Sequence, residues 1–186
     1  LFFGIVRKYK GLDVLLRAMP SVLSALECRL IIAGEFYDPV AKYCKLIDDL
    51  GIAEYVELQD RYVPNEEVPA LFEKADVLVL PYLSATQSGV ARIALSNSLP
   101  IIAARTGGLA EIVSDGINGL LFPPGDSEAL AALLTDYFRN NLGPVFATNL
   151  RGTKTLNSDC RLVEIIESIG AGYSQRQVPE TATPSH

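Results

Sequence analysis

The chain has 186 residues, 49% of them hydrophobic and 20% charged, and its 22 acidic residues outnumber 16 basic ones for a net charge of −6. These figures suit one compact domain with a sizeable core and exclude a wholly disordered chain, a collagen and a disulfide scaffold. Duplex nucleic-acid binders normally carry a basic surplus, so no nucleic-acid partner is expected, and any anion site must be a local concentration of positive charge.

The chain opens in mid-pattern on Leu1-Phe2-Phe3-Gly4, without an initiator Met, and reads as a piece of a longer protein. Short apolar runs then alternate with helical patterns, the signature of a parallel sheet covered by helices. The candidate strands are Leu1–Val6, Arg29–Ala33, Val56–Leu58, Val77–Leu80, Pro100–Ala104 and Leu120–Phe122. Several are continuously apolar rather than alternating, as expected when both faces of a strand are buried. Leu12, Leu15, Leu16 and Met19 fall at helical spacing, with Pro20 expected to kink or restart that helix. Val68, Leu71, Phe72 and Ala75 repeat the spacing. Asn65 is the expected N-cap there, Glu66 and Glu67 complement the dipole, and Pro69 costs one early helical bond.

Later in the chain, Leu130, Leu133, Leu134, Tyr137 and Phe138 mark a helix begun after Gly125-Asp126, and Leu162, Ile165, Ile166 and Ile169 mark a last one. The expected folded domain spans residues 1–170. Residues 171–186 change to Gly, Ser, Gln, Pro and Thr and read as a flexible tail. No internal repeat is found. No apolar run reaches the ~18 residues of a membrane span, and no basic segment precedes an apolar one, so no transmembrane segment is expected. Cys28, Cys44 and Cys160 are odd in number and far apart, and the only histidine is His186. Reduced, mostly buried thiols are expected, and no metal site.

Six strand units with right-handed crossovers predict an α/β fold, a three-layer Rossmann-like parallel sheet with helices on both faces, most simply ordered 3-2-1-4-5-6. Its ligand crevice should lie beyond the carboxyl ends of the first and fourth strands, where the order reverses. After the first strand comes Arg7-Lys8-Tyr9-Lys10-Gly11, three cations in an acidic protein. A guanidinium and an ammonium aimed into one cleft suit a diphosphate, and the alternative is a solvated basic turn. After the fourth comes Pro81-Tyr82-Leu83-Ser84-Ala85-Thr86-Gln87-Ser88-Gly89-Val90 and then a helix. Small polar residues and a glycine there let free N–H groups approach an anion, although an ordinary loop with an N-cap serine has the same composition. No GxxxxGK[ST] or GxGxxG is present, so P-loop and nicotinamide fingerprints are lacking. Gly107-Gly108, Asp115-Gly116, Asn118-Gly119 and Pro123-Pro124-Gly125-Asp126 are turn signals. Glu111 reads as a helix-end residue, and Glu35 borders the crevice.

The order FFG-x-x-R-x-YKG-x-D-x-LL (Phe2–Leu16), LIIAGE (Leu30–Glu35), YVPNEEVPALFEKADVLVLPY (Tyr62–Tyr82), SATQSGVA (Ser84–Ala91) and LPIIAARTGGLAEIVSDGINGLLFPPGD (Leu99–Asp126) resembles the nucleotide-sugar-binding half of GT-B glycosyltransferases, in particular glycosyltransferase family 4, the group 1 transferases. The likeness covers about residues 1–169. It implies a donor domain that binds a nucleoside-diphosphate sugar and serves transfer with retention, without a metal or other cofactor. Lys10 matches the family lysine that contacts the diphosphate, with Arg7 as its partner cation, and these are the implied catalytic pair. The base would lie near Tyr62, Val63 and Pro81. Thr86, Gln87 or Ser88 would hold sugar or ribose hydroxyls, with backbone donors at Ser88, Gly89 and Val90.

Two departures stand out. Many members carry an arginine directly after the first-strand glycine, where this chain has Ile5, with Arg7 as its substitute. The family's two glutamates of the EGFGxxxxE pattern map to Ala85 and Ile93. A degenerate, non-catalytic GT-B domain is therefore the alternative reading. An epimerase of the same fold would want carboxylates or histidines in the crevice, and the stretch has essentially none. The resemblance also implies an N-terminal acceptor domain, which this chain does not contain, a cytosolic or inner-membrane-associated full protein, and no transfer by this chain alone.

Overall fold

The computed structural model describes residues 1–156. Its strands are β1 (Phe2–Phe3), β2 (Leu30–Ala33), β3 (Val56–Gln59), β4 (Leu78–Leu80), β5 (Ile101–Ala104) and β6 (Gly119–Phe122). Its helices are α1 (Leu12–Ala25), α2 (Val40–Asp49), α3 (Val68–Glu73), α4 (Gly89–Ser96), α5 (Gly107–Ile112), α6 (Ser127–Arg139) and α7 (Leu142–Leu156). β1, β2 and β3 form one parallel three-stranded sheet, and β4, β5 and β6 a second. The two meet at Leu1, whose nitrogen donates to the Val77 carbonyl at 2.9 Å and whose carbonyl accepts from the Val79 N–H at 2.9 Å. The six strands therefore run 3-2-1-4-5-6, the expected order.

Alternation along the strands sends side chains into two separate cores, as the period of two demands. Phe2, Ile32, Val79 and Ile102 face α1, α2 and α6, where Leu16, Tyr43 and Leu130 close over them. Phe3, Leu78, Leu80 and Ile101 face α3, α4 and α5, against Phe72, Ala91 and Leu109. The inner strands are apolar throughout because they are covered on both sides, whereas β3, at the sheet edge, carries the exposed Glu57. This is the three-layer α/β arrangement, and it leaves the carboxyl ends of β1 and β4 side by side at one edge.

Several local expectations are corrected. β1 is shorter than Leu1–Val6: Gly4 leaves the ladder at φ +97°, and Val6 makes only an isolated bridge to Phe36. α1 runs through Pro20 without restarting, because packing of Met19 and Val22 offsets the lost bond. α3 begins at Val68, so Glu67 rather than Asn65 occupies its N-cap position, and Pro69 stands in the first turn, where a missing N–H leaves no interior bond unmade. α2 fills the gap between β2 and β3, with Tyr43 and Ile47 one turn apart on its buried face. Cys44 follows Tyr43 by one residue, falls off that face and is exposed, while Cys28 is half-buried. Cys160, the helix around Leu162–Ile169 and the tail lie outside the described residues.

Candidate functional site

A crevice of about 230 Å³ opens at the carboxyl ends of β1 and β4, bordered also by the segments after β2 and β3. Its anion-facing side is built by two connections. From β1 the chain passes through a single 3-10 turn, Lys8–Lys10, into Gly11 and α1. From β4 it passes through residues 81–88 into α4, whose N-cap is Ser88. The two connections are joined by backbone. The Leu83 N–H donates to the Tyr9 carbonyl at 2.7 Å. Gly11, at φ +64°, lies so close to Pro81 that a Cβ on it would fall 2.0 Å from the Pro81 carbonyl oxygen.

Lys10 is the cation this junction directs into the crevice. It is 8% exposed, and its Nζ lies 5.5 Å from the centroid of the Tyr82 ring. Among the described residues no carboxylate forms an ion pair with it. Burial pushes its ammonium down to about 8, and the positive charge of Arg7 adds to the effect. A buried, unpaired cation is expensive to maintain, and it strongly favours an incoming anion.

Ser88 is buried, and its Oγ accepts the Ala91 N–H at 3.2 Å, which caps α4. Gly89 and Val90, whose N–H groups are the first of the helix and have no intrahelical acceptor, both line the crevice. Tyr82 is 3% exposed; burial raises its hydroxyl well above the usual tyrosine range, and a hydrogen bond with Ser88 opposes that rise. The ring of Tyr9 meets Tyr82 edge-on, with centroids 6.0 Å apart.

Much of the remaining lining is apolar, from Phe3, Val63, Val68, Val90 and Ile93, with Tyr62 and Asn65 among them. Glu35 and Gln87 add the polar side chains that accept or donate to hydroxyl groups. The arrangement therefore has a cationic end with backbone donors and an apolar end with aromatic surface. An anion carried on a planar or partly apolar group fits that division of chemistry.

Of the residues singled out from sequence, Lys10, Glu35, Tyr62, Val63, Gln87, Ser88, Gly89 and Val90 all line the crevice. Pro81 and Thr86 do not. Pro81 is buried beneath Gly11, and Thr86 is exposed, with its carbonyl oxygen 2.1 Å from where a Cβ on Gly108 would stand. Gly107-Gly108 is thus more than a turn: the pair opens α5 and lets residues 85–87 lie against it, with the Gly108 N–H donating to the Ala85 carbonyl at 3.2 Å. Arg7 is not in the lining either. Its guanidinium lies 4.7 Å over the ring of Tyr37 from the β2–α2 connection, and Ile5 occupies the wall instead. In sequence, nothing singles out Gly4, Gly34 or Asn65 for the site; Tyr9 and Tyr82 figure only as members of the two crevice connections, and Ile93 only as the position of an absent family glutamate. Tyr9 and Tyr82 carried a signal, since each is an aromatic next to a strand end at the order reversal. Gly4 and Gly34 touch only in the folded chain, where a Cβ on Gly34 would meet the Gly4 carbonyl oxygen at 2.3 Å.

Among the described residues no group of three or more His, Cys, Asp or Glu side chains is placed to hold a metal ion, and no helix is long and apolar enough to cross a membrane.

Comparison with known proteins gives a consistent set of relatives. A family model described as glycosyl transferases group 1 matches residues 1–140. The D-inositol 3-phosphate glycosyltransferase of Corynebacterium diphtheriae is 34% identical over 145 residues, covering 73% of this chain and 34% of the relative. That of Thermobifida fusca is 35% identical over 143 residues, covering 72% and 33%. The chain thus spans about a third of the length of the curated relatives it matches. Among solved structures, the C-terminal domain of the glycosyl transferase group 1 family protein LpcC from Francisella tularensis superposes with a TM-score of 0.74 at 22% identity, covering 86% of this chain and 85% of that one. Anabaena HepE, solved in complex with UDP, superposes with a TM-score of 0.72 at 22% identity, covering 93% and 48%. At such identities the two structures speak for the fold.

Proposed function

The chain belongs to the glycosyl transferases group 1 family, and on that premise we propose that it is the donor-binding domain of a glycosyltransferase that moves a sugar from a nucleoside-diphosphate sugar to an acceptor. The observation that carries the reading is Lys10, a buried cation that shares the crevice with α4's first turn and has no carboxylate partner among the described residues. Relatives named as glycosyltransferases, and a solved protein of the same fold that holds UDP, support it.

On this reading the diphosphate lies between Lys10 and the Gly89 and Val90 N–H groups, and the base rests on the apolar side near Tyr62 and Val63. As the sugar–oxygen bond breaks, negative charge builds on the departing diphosphate. A fixed ammonium and fixed N–H dipoles stabilise that charge without reorganising, which is the largest kind of catalytic contribution a binding site makes. The same groups serve in place of a divalent ion, so binding and transfer are proposed to be metal-independent, and the family resemblance is the ground for proposing that the transfer is retaining. Gln87 and Glu35 are the groups offered to sugar hydroxyls. Arg7 would join the diphosphate only by leaving Tyr37. The acceptor is proposed to bind a separate N-terminal domain, the remaining length that the relatives possess, and this chain by itself is proposed to transfer nothing. The full protein is proposed to work in the cytosol or at the inner membrane face.

A second reading has its own observation. Ile93, where the family pattern has a glutamate, forms part of the crevice wall, so the site lacks a carboxylate at that point. A degenerate, non-catalytic domain kept for contact with a partner rather than for a nucleotide sugar fits that wall. Calorimetric titration of the chain with UDP, GDP and ADP, with and without magnesium, tests the proposal. Binding that ignores magnesium and is lost in Lys10→Glu supports a donor site and identifies the base. A folded chain that takes up none of the three would sink it in favour of the degenerate reading.

A further inference from the structure

Tyr82 touches both halves of the anion-facing side. Its ring lies under Lys10 Nζ at 5.5 Å, Tyr9 closes on it edge-to-face, and it lines the crevice together with Ser88 at the head of α4. The neighbouring backbone is fixed on either side of it, by Gly11 against Pro81 and by the Leu83 N–H on the Tyr9 carbonyl. Tyr82 itself is therefore held from both directions, and Lys10 is the long flexible side chain that rests on it. A lysine stem has many rotamers, and an ammonium with no ion-pair partner among the described residues has little else there to select one. The negative face of an aromatic ring attracts a cation most when both are removed from water, as they are here.

We propose that Tyr82 is a positioning residue: its ring holds the Lys10 ammonium in the crevice that the first turn of α4 also lines, so that cation and helix end face one anion together. This rests on the donor-binding reading for its functional consequence, whereas the contact between Tyr82 and Lys10 exists without a ligand. Tyr82 does not touch the transferred group. It acts through Lys10.

The test uses the whole 186-residue chain as wild type, Tyr82→Phe, Tyr82→Leu, Lys10→Met and the double variant Lys10→Met/Tyr82→Leu. Two quantities are read: the NMR shift of the Lys10 ε-methylene, and the affinity for UDP. A methylene held over the ring is displaced upfield. That displacement should persist in Tyr82→Phe and vanish in Tyr82→Leu. UDP affinity should fall roughly 2- to 30-fold in Tyr82→Leu, the range of a desolvated cation–π contact, and less in Tyr82→Phe. In the Lys10→Met background the further change to leucine should do almost nothing, since the two residues work as one unit.

A wild-type ε-methylene without ring-current displacement, or one unchanged by Tyr82→Leu, overturns the proposal. So does a Tyr82→Leu chain that remains folded and binds UDP as the wild type does, or a loss that is equally large without Lys10, which would mark Tyr82 as merely structural. If the displacement is present and removed by leucine while the wild type binds no UDP, the positioning stands and the donor-binding reading fails.

Discussion

Lys10 and Gly4 confront each other across the end of β1: a Cβ placed on Gly4 would stand 3.3 Å from Lys10 Nζ. The strand ends early at that glycine, and the space beside it is the one the ammonium occupies. The cation is thereby enclosed, which is why its pKa is brought down to about 8. Anion binding through an ammonium needs the proton in place. Affinity for UDP should accordingly be flat from about pH 7 to 8 and fall as the pH rises beyond that, by up to tenfold per unit. A terminal phosphate is already fully ionised over this range, so the ligand contributes no opposing trend. Titrations at stepped pH check it, and an affinity unchanged up to pH 9.5 would dismiss Lys10 as the principal cation.

The same group carries a stability prediction of opposite sense. Lys10 in the unfolded chain keeps its ordinary value of 10.5, above the folded value of about 8. Between those values the unfolded state binds more protons, so stability rises with pH through that window, and below it the buried charge is a standing penalty. Lys10→Met keeps the stem and removes the charge. It should stabilise the chain at pH 7 by about 1–3 kcal/mol and lose most of that advantage by pH 10, while weakening UDP binding roughly tenfold. Urea titrations at the two pH values measure the difference, and a variant less stable than the wild type at pH 7 contradicts it.

Topology made much of this legible beforehand. Continuous apolar runs and right-handed crossovers were enough to order the strands 3-2-1-4-5-6, and that order alone directs attention to Lys10 and to Ser88–Val90. What escaped was set by contacts distant in sequence. Gly4 reads as strand in LFFGIV, and only the approach of Gly34 and Lys10 makes it a strand end. Arg7 and Lys10 look alike in RKYKG, yet the 3-10 turn sends one inward, while Tyr37, some 30 positions along the chain, takes the guanidinium of the other. Asn65 has the composition of a cap, but the turn ahead of α3 carries it to the crevice.

Two glycines in the left-handed region separate conformational strain from close approach. Gly51 has φ +67° and open space, with nothing within 4 Å of the point a Cβ would occupy, while Gly11 has φ +64° with the Pro81 carbonyl oxygen 2.0 Å from that point. Gly51→Ala should cost about 1 kcal/mol, the strain alone. Gly11→Ala adds a backbone collision at the junction of the two crevice connections and should cost about 3–5 kcal/mol, with UDP affinity falling as the junction opens. Chemical denaturation of both variants decides it: equal losses would mean that Pro81 yields freely, and that the junction does not hold the site.

Capping residues give the last contrast. Ser88 caps α4 through one bond, to the Ala91 N–H, and Asp126 caps α6 through two, to the Glu128 and Ala129 N–H groups at 3.1 and 2.9 Å. Removing either cap should cost on the order of 1 kcal/mol, with Asp126→Ala the larger because two donors lose their acceptor and a favourable charge leaves the helix N-terminus. Of these two helices, α4 is the one that opens on the crevice. Ser88→Ala should therefore weaken UDP binding at least about threefold, by freeing the first turn, while Asp126→Ala leaves it alone. Parallel thermal melts and UDP titrations separate the two effects. If Asp126→Ala weakens binding as much as Ser88→Ala, the loss follows stability rather than the aim of α4, and the diphosphate does not sit at that helix end.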